Sequence, residues 1–153
     1  MPPAAMAEGA TIAGTFGGWT LYSSEAGKSK VCFVAAEPSE KKPAAANRAT
    51  TLLYISAWPK DGVRSEVSVK LGYPVKAGSG VDVAVGKDTF KLFPKDERAY
   101  VADATQELKL VEAMKKGATL TVSAQSERGT QTTDTYSLSG LSQALQSLST
   151  TCP

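Results

Sequence analysis

Two cysteines, fifteen acidic side chains and no histidine bound the chemistry open to this chain of 153 residues. Without an imidazole, Ser-His-Asp and Cys-His nucleophile systems, histidine zinc sites and histidine-held haem are all excluded. Two cysteines also fall short of a zinc tetrad or a complete cysteine-ligated iron–sulfur site. Carboxylates remain, in two close pairs. Asp96 and Glu97 belong to a solvated turn, Pro94 to Arg98, whose own Lys95 and Arg98 neutralise them. Glu107 and Glu112 fall on a predicted helix with lysines nearby. A glycosidase needs two carboxylates facing across a cleft, which spacing alone does not supply, and no acidic run has EF-hand spacing. Ser39-Glu40-Lys41-Lys42 matches the bare S-x-x-K pattern of serine acyltransferases, but it lies in a proline-bounded polar loop without the companion motifs. Gly80 to Lys87 imitates a phosphate loop one residue too long, with Asp88 where a magnesium-binding hydroxyl should stand. No catalytic, cofactor-binding or metal-ligating residue is expected.

The cysteines have a structural use instead. Cys32 lies in the apolar run Val31-Cys32-Phe33-Val34, while Cys152 stands in a polar tail that gives a thiol no packing reason to be there. A Cys32–Cys152 disulfide is expected, and it favours an oxidising compartment such as the periplasm. The plainer alternative is a buried cysteine acting as a small hydrophobe. Among the aromatic residues, Trp19, Tyr54, Trp58 and Tyr73 form a possible binding surface, with Trp58 the most exposed beside the turn Pro59-Lys60-Asp61-Gly62. Core packing competes with that reading, because aromatic residues favour strands in any case.

The elements that must position these residues are mostly strands. Phe16 to Tyr22 enters a first strand and Val31 to Ala36 returns, as a hairpin does. Glu37 to Thr50 is a polar loop with two prolines. Thr51 to Trp58 is nearly continuously apolar, which suits a strand buried on both faces. Val63, Val67, Val69 and Leu71 share one parity, and Val81, Val83 and Val85 repeat the pattern, as half-buried antiparallel strands do. The connections are too short for parallel crossovers. A helix over 104–116 is signed by Asp103 as cap, Gln106 as capping-box partner, Leu108, Val111 and Met114 as a stripe beside Leu110, and Gly117 as stop. Strands resume at 118–122 and 130–137, and a closing helix over 139–148 presents Leu141, Ala144, Leu145 and Leu148. The expected fold is mainly β: one antiparallel β-sandwich or barrel-like sandwich with two short α-helices, occupying residues 14–153 behind a flexible leader, 1–13.

Composition agrees with a single globular domain, with 42% hydrophobic residues, 21% charged and a net charge of +2. The longest basic blocks are Lys41-Lys42 and Lys115-Lys116, so no nucleic-acid stripe exists. No stretch approaches the roughly 20 apolar residues of a membrane span. Ala5-Met6-Ala7 fits the small-residue pattern around a secretory cleavage site, which would make the protein exported by a removed signal peptide. A disordered or non-native tail fits the same residues.

Several segments together resemble the invasion-associated locus B family of exported alphaproteobacterial proteins. They are Phe16-Gly17-Gly18-Trp19, Lys30 to Phe33, Trp58 to Pro74, Phe90 to Phe93, Val111 to Gly117 and Arg128 to Gly140. The resemblance implies a periplasmic or cell-envelope protein without catalytic residues, of a kind linked to host-cell invasion in pathogens. Its partner would be an envelope or host-surface component. Family members often pair the cysteine matching Cys32 with one in the first hairpin. This chain has Ser23-Ser24 there, which leaves Cys32 free for Cys152. Two other readings stand beside a binding protein: a small-molecule or peptide carrier with an aromatic-lined site, and a carboxylate-based hydrolase.

Overall fold

The computed structural model describes residues 10–26, 29–43 and 48–153. Eleven strands form one antiparallel sheet in the order β1-β2-β3-β5-β6-β9-β8-β7-β10-β11-β4. They are β1 Thr11–Phe16, β2 Trp19–Ala26, β3 Ser29–Ala36, β4 Glu40–Lys42, β5 Leu52–Trp58, β6 Val63–Lys70, β7 Val81–Val85, β8 Asp88–Lys95, β9 Arg98–Tyr100, β10 Thr119–Gln125 and β11 Gln131–Ser137. Among the described residues they are joined by two α-helices, α1 Ala104–Lys116 and α2 Leu141–Thr151, and a single 3-10 turn, Pro59–Asp61. The expected class, a mainly antiparallel β fold with two short helices, is therefore the observed one. The strand β1 begins at Thr11, so Thr11 to Ala13, expected in the leader, form its first half. Residues 1–9, which carry the secretory-cleavage pattern, lie outside the described residues.

Strand alternation decides what is buried. Val67, Val69 and Leu71 from β6 and its exit, with Val81, Val83 and Val85 of β7, all enter the main core. Their alternate neighbours face the other side of the sheet, where Ser68 is covered while the Lys91–Asp82 pair, at 2.6 Å, stays exposed. The strand β5 is covered on both faces, as its unbroken apolar run predicts. Leu53, Ile55 and Ala57 join the main core, while Leu52 and Tyr54 join Phe33 and Ala35 in a second cluster on the opposite face. There Tyr22 stacks on Phe33 with ring centroids 4.9 Å apart.

The sheet does not close into a barrel, because β1 and β4 are both edges. One end of the gap is bridged by the Trp19 indole N–H, which donates to the Ser137 carbonyl at 3.1 Å. The β1–β2 turn and the entry to α2 press backbone on backbone there. Gly17 and Gly140 both have positive φ, 58° and 88°. A Cβ on Gly17 would strike the Ser139 carbonyl, and one on Gly140 the Phe16 carbonyl.

Helix α1 is capped as its sequence indicates: Asp103 Oδ1 accepts from the Thr105 and Gln106 backbone N–H groups at 2.7 and 3.3 Å. Its buried stripe is Leu110, Val111 and Met114. The expected stripe residue Leu108 is 65% exposed, because Leu110 takes its place on the inner face. Gly117 ends the helix with φ −90° rather than in a left-handed cap. It is needed for room, since a Cβ there would sit 2.6 Å from Val85. Helix α2 buries Leu141, Ala144, Leu145 and Leu148 as predicted, but starts two residues later and runs to Thr151. That extension delivers Cys152 to Cys32 on β3, with Cα atoms 6.1 Å apart in the disulfide. Cys32 faces Ser23 across the β2–β3 ladder.

Candidate functional site

Three alternate residues of β11, Thr132, Asp134 and Tyr136, point into the fold, and each is almost fully buried. An ionised carboxylate in that position is stable only if paired. Arg48 supplies the partner, placing Nη1 2.6 Å from Asp134 Oδ1 and Nη2 2.7 Å from Oδ2, a bidentate fork. The same guanidinium donates from Nε and Nη2 to the Leu71 carbonyl at 3.1 and 2.6 Å. Both charged side chains are sealed, with 2% and 0% of their surface exposed. Burial opposes the charge on Arg48, but the hydrogen bonds and field of Asp134 outweigh it and hold the guanidinium pKa above its ordinary value.

The Arg48 guanidinium also lies over the ring of Tyr73, 5.0 Å from its centroid. The Tyr73 hydroxyl closes the network on Thr132 Oγ1 at 2.5 Å. Burial pushes the Tyr73 phenol above its usual value, opposed by the Thr132 hydrogen bond and the positive charge of Arg48. Gly72 shapes the approach: its φ is 82°, and a Cβ would lie 2.5 Å from the Ala49 carbonyl. Above this base opens a groove of about 740 Å³, walled by Pro43, Pro74, Arg128, Thr130 and Thr132. The β10–β11 turn that carries Arg128 is held by Glu127 N–H donating to the Pro74 carbonyl at 3.0 Å.

Of the four aromatic residues expected to form a binding surface, only Tyr73 lines this groove. Trp19 is fully buried with its N–H spent on Ser137. Tyr54 is buried in the second cluster beneath the Arg98 guanidinium, 5.4 Å from its ring, and burial lifts its phenol pKa to about 12. Trp58 is half-buried at the end of β5. The structure therefore does not bring the four together.

The acidic pairs are separated by the fold as well. Glu112 bonds Lys115 at 3.1 Å on the surface of α1. Glu107 reaches across to β6, where its Oε2 accepts from the Val67 backbone N–H at 2.9 Å. Asp96 and Glu97 occupy the β8–β9 turn. Ser39 donates to the Thr135 carbonyl, and Lys42 lies 4.0 Å from Glu40, so the S-x-x-K residues serve the edge strand β4. Among the described residues no group of three or more His, Cys, Asp or Glu side chains is placed to hold a metal, and no helix is long and apolar enough to cross a membrane. The pair that organises the groove, Arg48 and Asp134, escapes the sequence reading. One signal for it exists: in Thr130 to Ser137, Asp134 shares its parity with Tyr136, which marks an acid on the inner face.

Comparison with known proteins gives two matches. The family model for the invasion associated locus B (IalB) protein matches residues 19–149. A crystal structure of invasion associated protein B from Bartonella henselae superposes with a TM-score of 0.66 at 19% identity, covering 92% of this chain and 97% of that one. At that identity it shows a shared fold. No curated protein matches the chain.

Proposed function

The chain belongs to the invasion associated locus B family, and we propose that it is an exported, non-enzymatic protein of the bacterial cell envelope that works by binding a partner surface at the groove above Tyr73. The groove itself carries this reading. Its strongest charges, Arg48 and Asp134, are spent on each other inside the wall. What it offers a partner is part of Tyr73, two proline rings, the Thr130 hydroxyl and two exposed side chains of opposite charge, Glu127 and Arg128. Such groups recognise shape, charge and hydrogen-bonding pattern; the one acid among them, Glu127, is solvent-exposed on a turn and lacks the burial that tunes a general acid or base. The disulfide across 120 residues supports a periplasmic or envelope location, since such bonds persist in oxidising compartments. The matched Bartonella protein is associated with invasion, and the partner proposed for this chain is accordingly an envelope or host-surface component.

A photo-crosslinker placed at Thr130 tests the proposal in cells that make the protein naturally. A discrete adduct that disappears on Arg128→Glu, and is not formed from a probe at exposed Lys60, is the expected outcome. Equal labelling from both positions would sink the groove as the binding surface.

A further inference from the structure

A second cavity, separate from the groove at Tyr73, opens between α1, α2 and the β5–β6 hairpin. Its floor is apolar: Ala57, Val111, Leu145 and Leu148 line it, each at least nine-tenths buried. Cys152 adds the disulfide to that floor, so the bond that anchors α2 also fixes the cavity's shape. The rim is basic. Arg64 from β6 and Lys115 from the last turn of α1 both line the cavity and are exposed to solvent. Lys115 contacts Glu112 at 3.1 Å, but both partners are well exposed and a surface pair of that kind is weak enough to exchange for an incoming anion.

Size narrows the ligand. The cavity measures about 210 Å³. A dry apolar cavity of about 150 Å³ admits benzene, whereas sites for drug-sized ligands and cofactors run from about 300 to 1,000 Å³. Long acyl chains and nucleotides are thus too large. We propose that this cavity binds a small amphipathic anion, a monocarboxylate with a hydrocarbon portion of about six to eight carbons. Its hydrocarbon packs on Leu145, Leu148 and Val111 while its carboxylate sits between Arg64 and Lys115. The site is independent of the groove reading and implies a carrier or sensor role in addition to it.

Calorimetric titration of the oxidised full chain with sodium octanoate, 1-octanol and octylammonium tests this. Saturable one-site binding of octanoate is expected, with 1-octanol roughly tenfold weaker and octylammonium not bound. The double charge reversal Arg64→Glu/Lys115→Glu should weaken octanoate by roughly tenfold and leave octanol unchanged. Ser149→Phe, at an exposed α2 position on the cavity wall, should block both ligands while circular dichroism stays that of the parent protein. Absence of saturable octanoate binding, equal affinity for octanol, or indifference to Ser149→Phe would each overturn the proposal.

Discussion

Arg48 and Asp134 show how much one buried pair can demand of its surroundings. Each charge is tolerable inside the fold only because the other is there, and the Leu71 carbonyl takes two of the remaining guanidinium protons. Removing the acid alone, as in Asp134→Leu, leaves a stranded cation and should cost about 3–5 kcal/mol in urea denaturation. Removing both in Arg48→Met/Asp134→Leu should recover much of that loss, so the two single effects will not add. Full recovery is not expected, because the Leu71 carbonyl then keeps only the long hydrogen bond from Thr51 Oγ1, at 3.4 Å. A double variant no better than Asp134→Leu would mean that the pair is not the unit of stability. Glu66 and Glu107 make the opposite case, acids that are buried in part and for which no ion pair forms among the described residues. Burial raises the pKa of Glu66 above its ordinary 4.5. It raises Glu107 as well, with the Val67 hydrogen bond opposing and the charge of Glu66 adding. A raised carboxylate binds its proton more tightly in the folded state, so its contribution is full below the unfolded value and is lost as pH rises through the folded one. Glu66→Gln should therefore raise the urea midpoint at pH 7 and bring no gain near pH 4. A gain that is equal at both pH values would refute the burial argument.

Elements here are fixed by a few positions where backbone meets backbone. Gly17 and Gly140 face each other's neighbours across the gap between β1 and α2, and each has both a positive φ and no space for a Cβ. Gly78 has a similar φ, 80°, but nothing within 4 Å of its would-be Cβ. Gly140→Ala should thus lower the melting temperature well beyond the effect of Gly78→Ala, which carries only a backbone strain of about 1 kcal/mol. Similar losses from the two would show that φ alone, and no close approach, governs the clasp. The elements themselves were legible in the chain: the alternating valines of β6 and β7, the continuous run of β5 and the Asp103 cap each reappear in place. What escaped were features set by distant partners. The stripe of α1 rotates past Leu108 because the sheet beneath accepts Leu110, and periodicity cannot weigh two neighbouring leucines. Trp19 and Tyr54 could have been surface or core on sequence grounds; the main core takes Trp19 and the sheet's second apolar face takes Tyr54. The groove stayed invisible because its base is a contact between residues 48 and 134, and neither segment advertises the other.

At the scale of the whole molecule, an open sheet of eleven strands has to be kept from unrolling at the seam between β1 and β4. Hydrogen bonds across the seam are few among the described residues, with Trp19 to Ser137 the clearest. The seam is instead held by α2, which lies against β1, β2 and β3 and is fastened at its far end by the Cys32–Cys152 bond. The bond links residues 120 apart, and closing so long a loop in the unfolded chain is worth about 5 kcal/mol in the chain-entropy model. That is comparable to the entire stability of many domains of this size, about 5–15 kcal/mol. Reduction should therefore do more than fray a terminus. Cys32→Ser/Cys152→Ser is expected to lose about 2–5 kcal/mol in urea denaturation, and hydrogen exchange should quicken in α2 and β1 before it quickens in β5 and β6. The ordering separates two accounts of the bond. A crosslink acting only through the unfolded chain would lower protection evenly across the molecule, whereas a fastener of the seam loosens the strands beside it first. Even loss of protection would leave the entropic term and remove the fastening role, and with it the link between the disulfide and the shape of the cavity beneath α2.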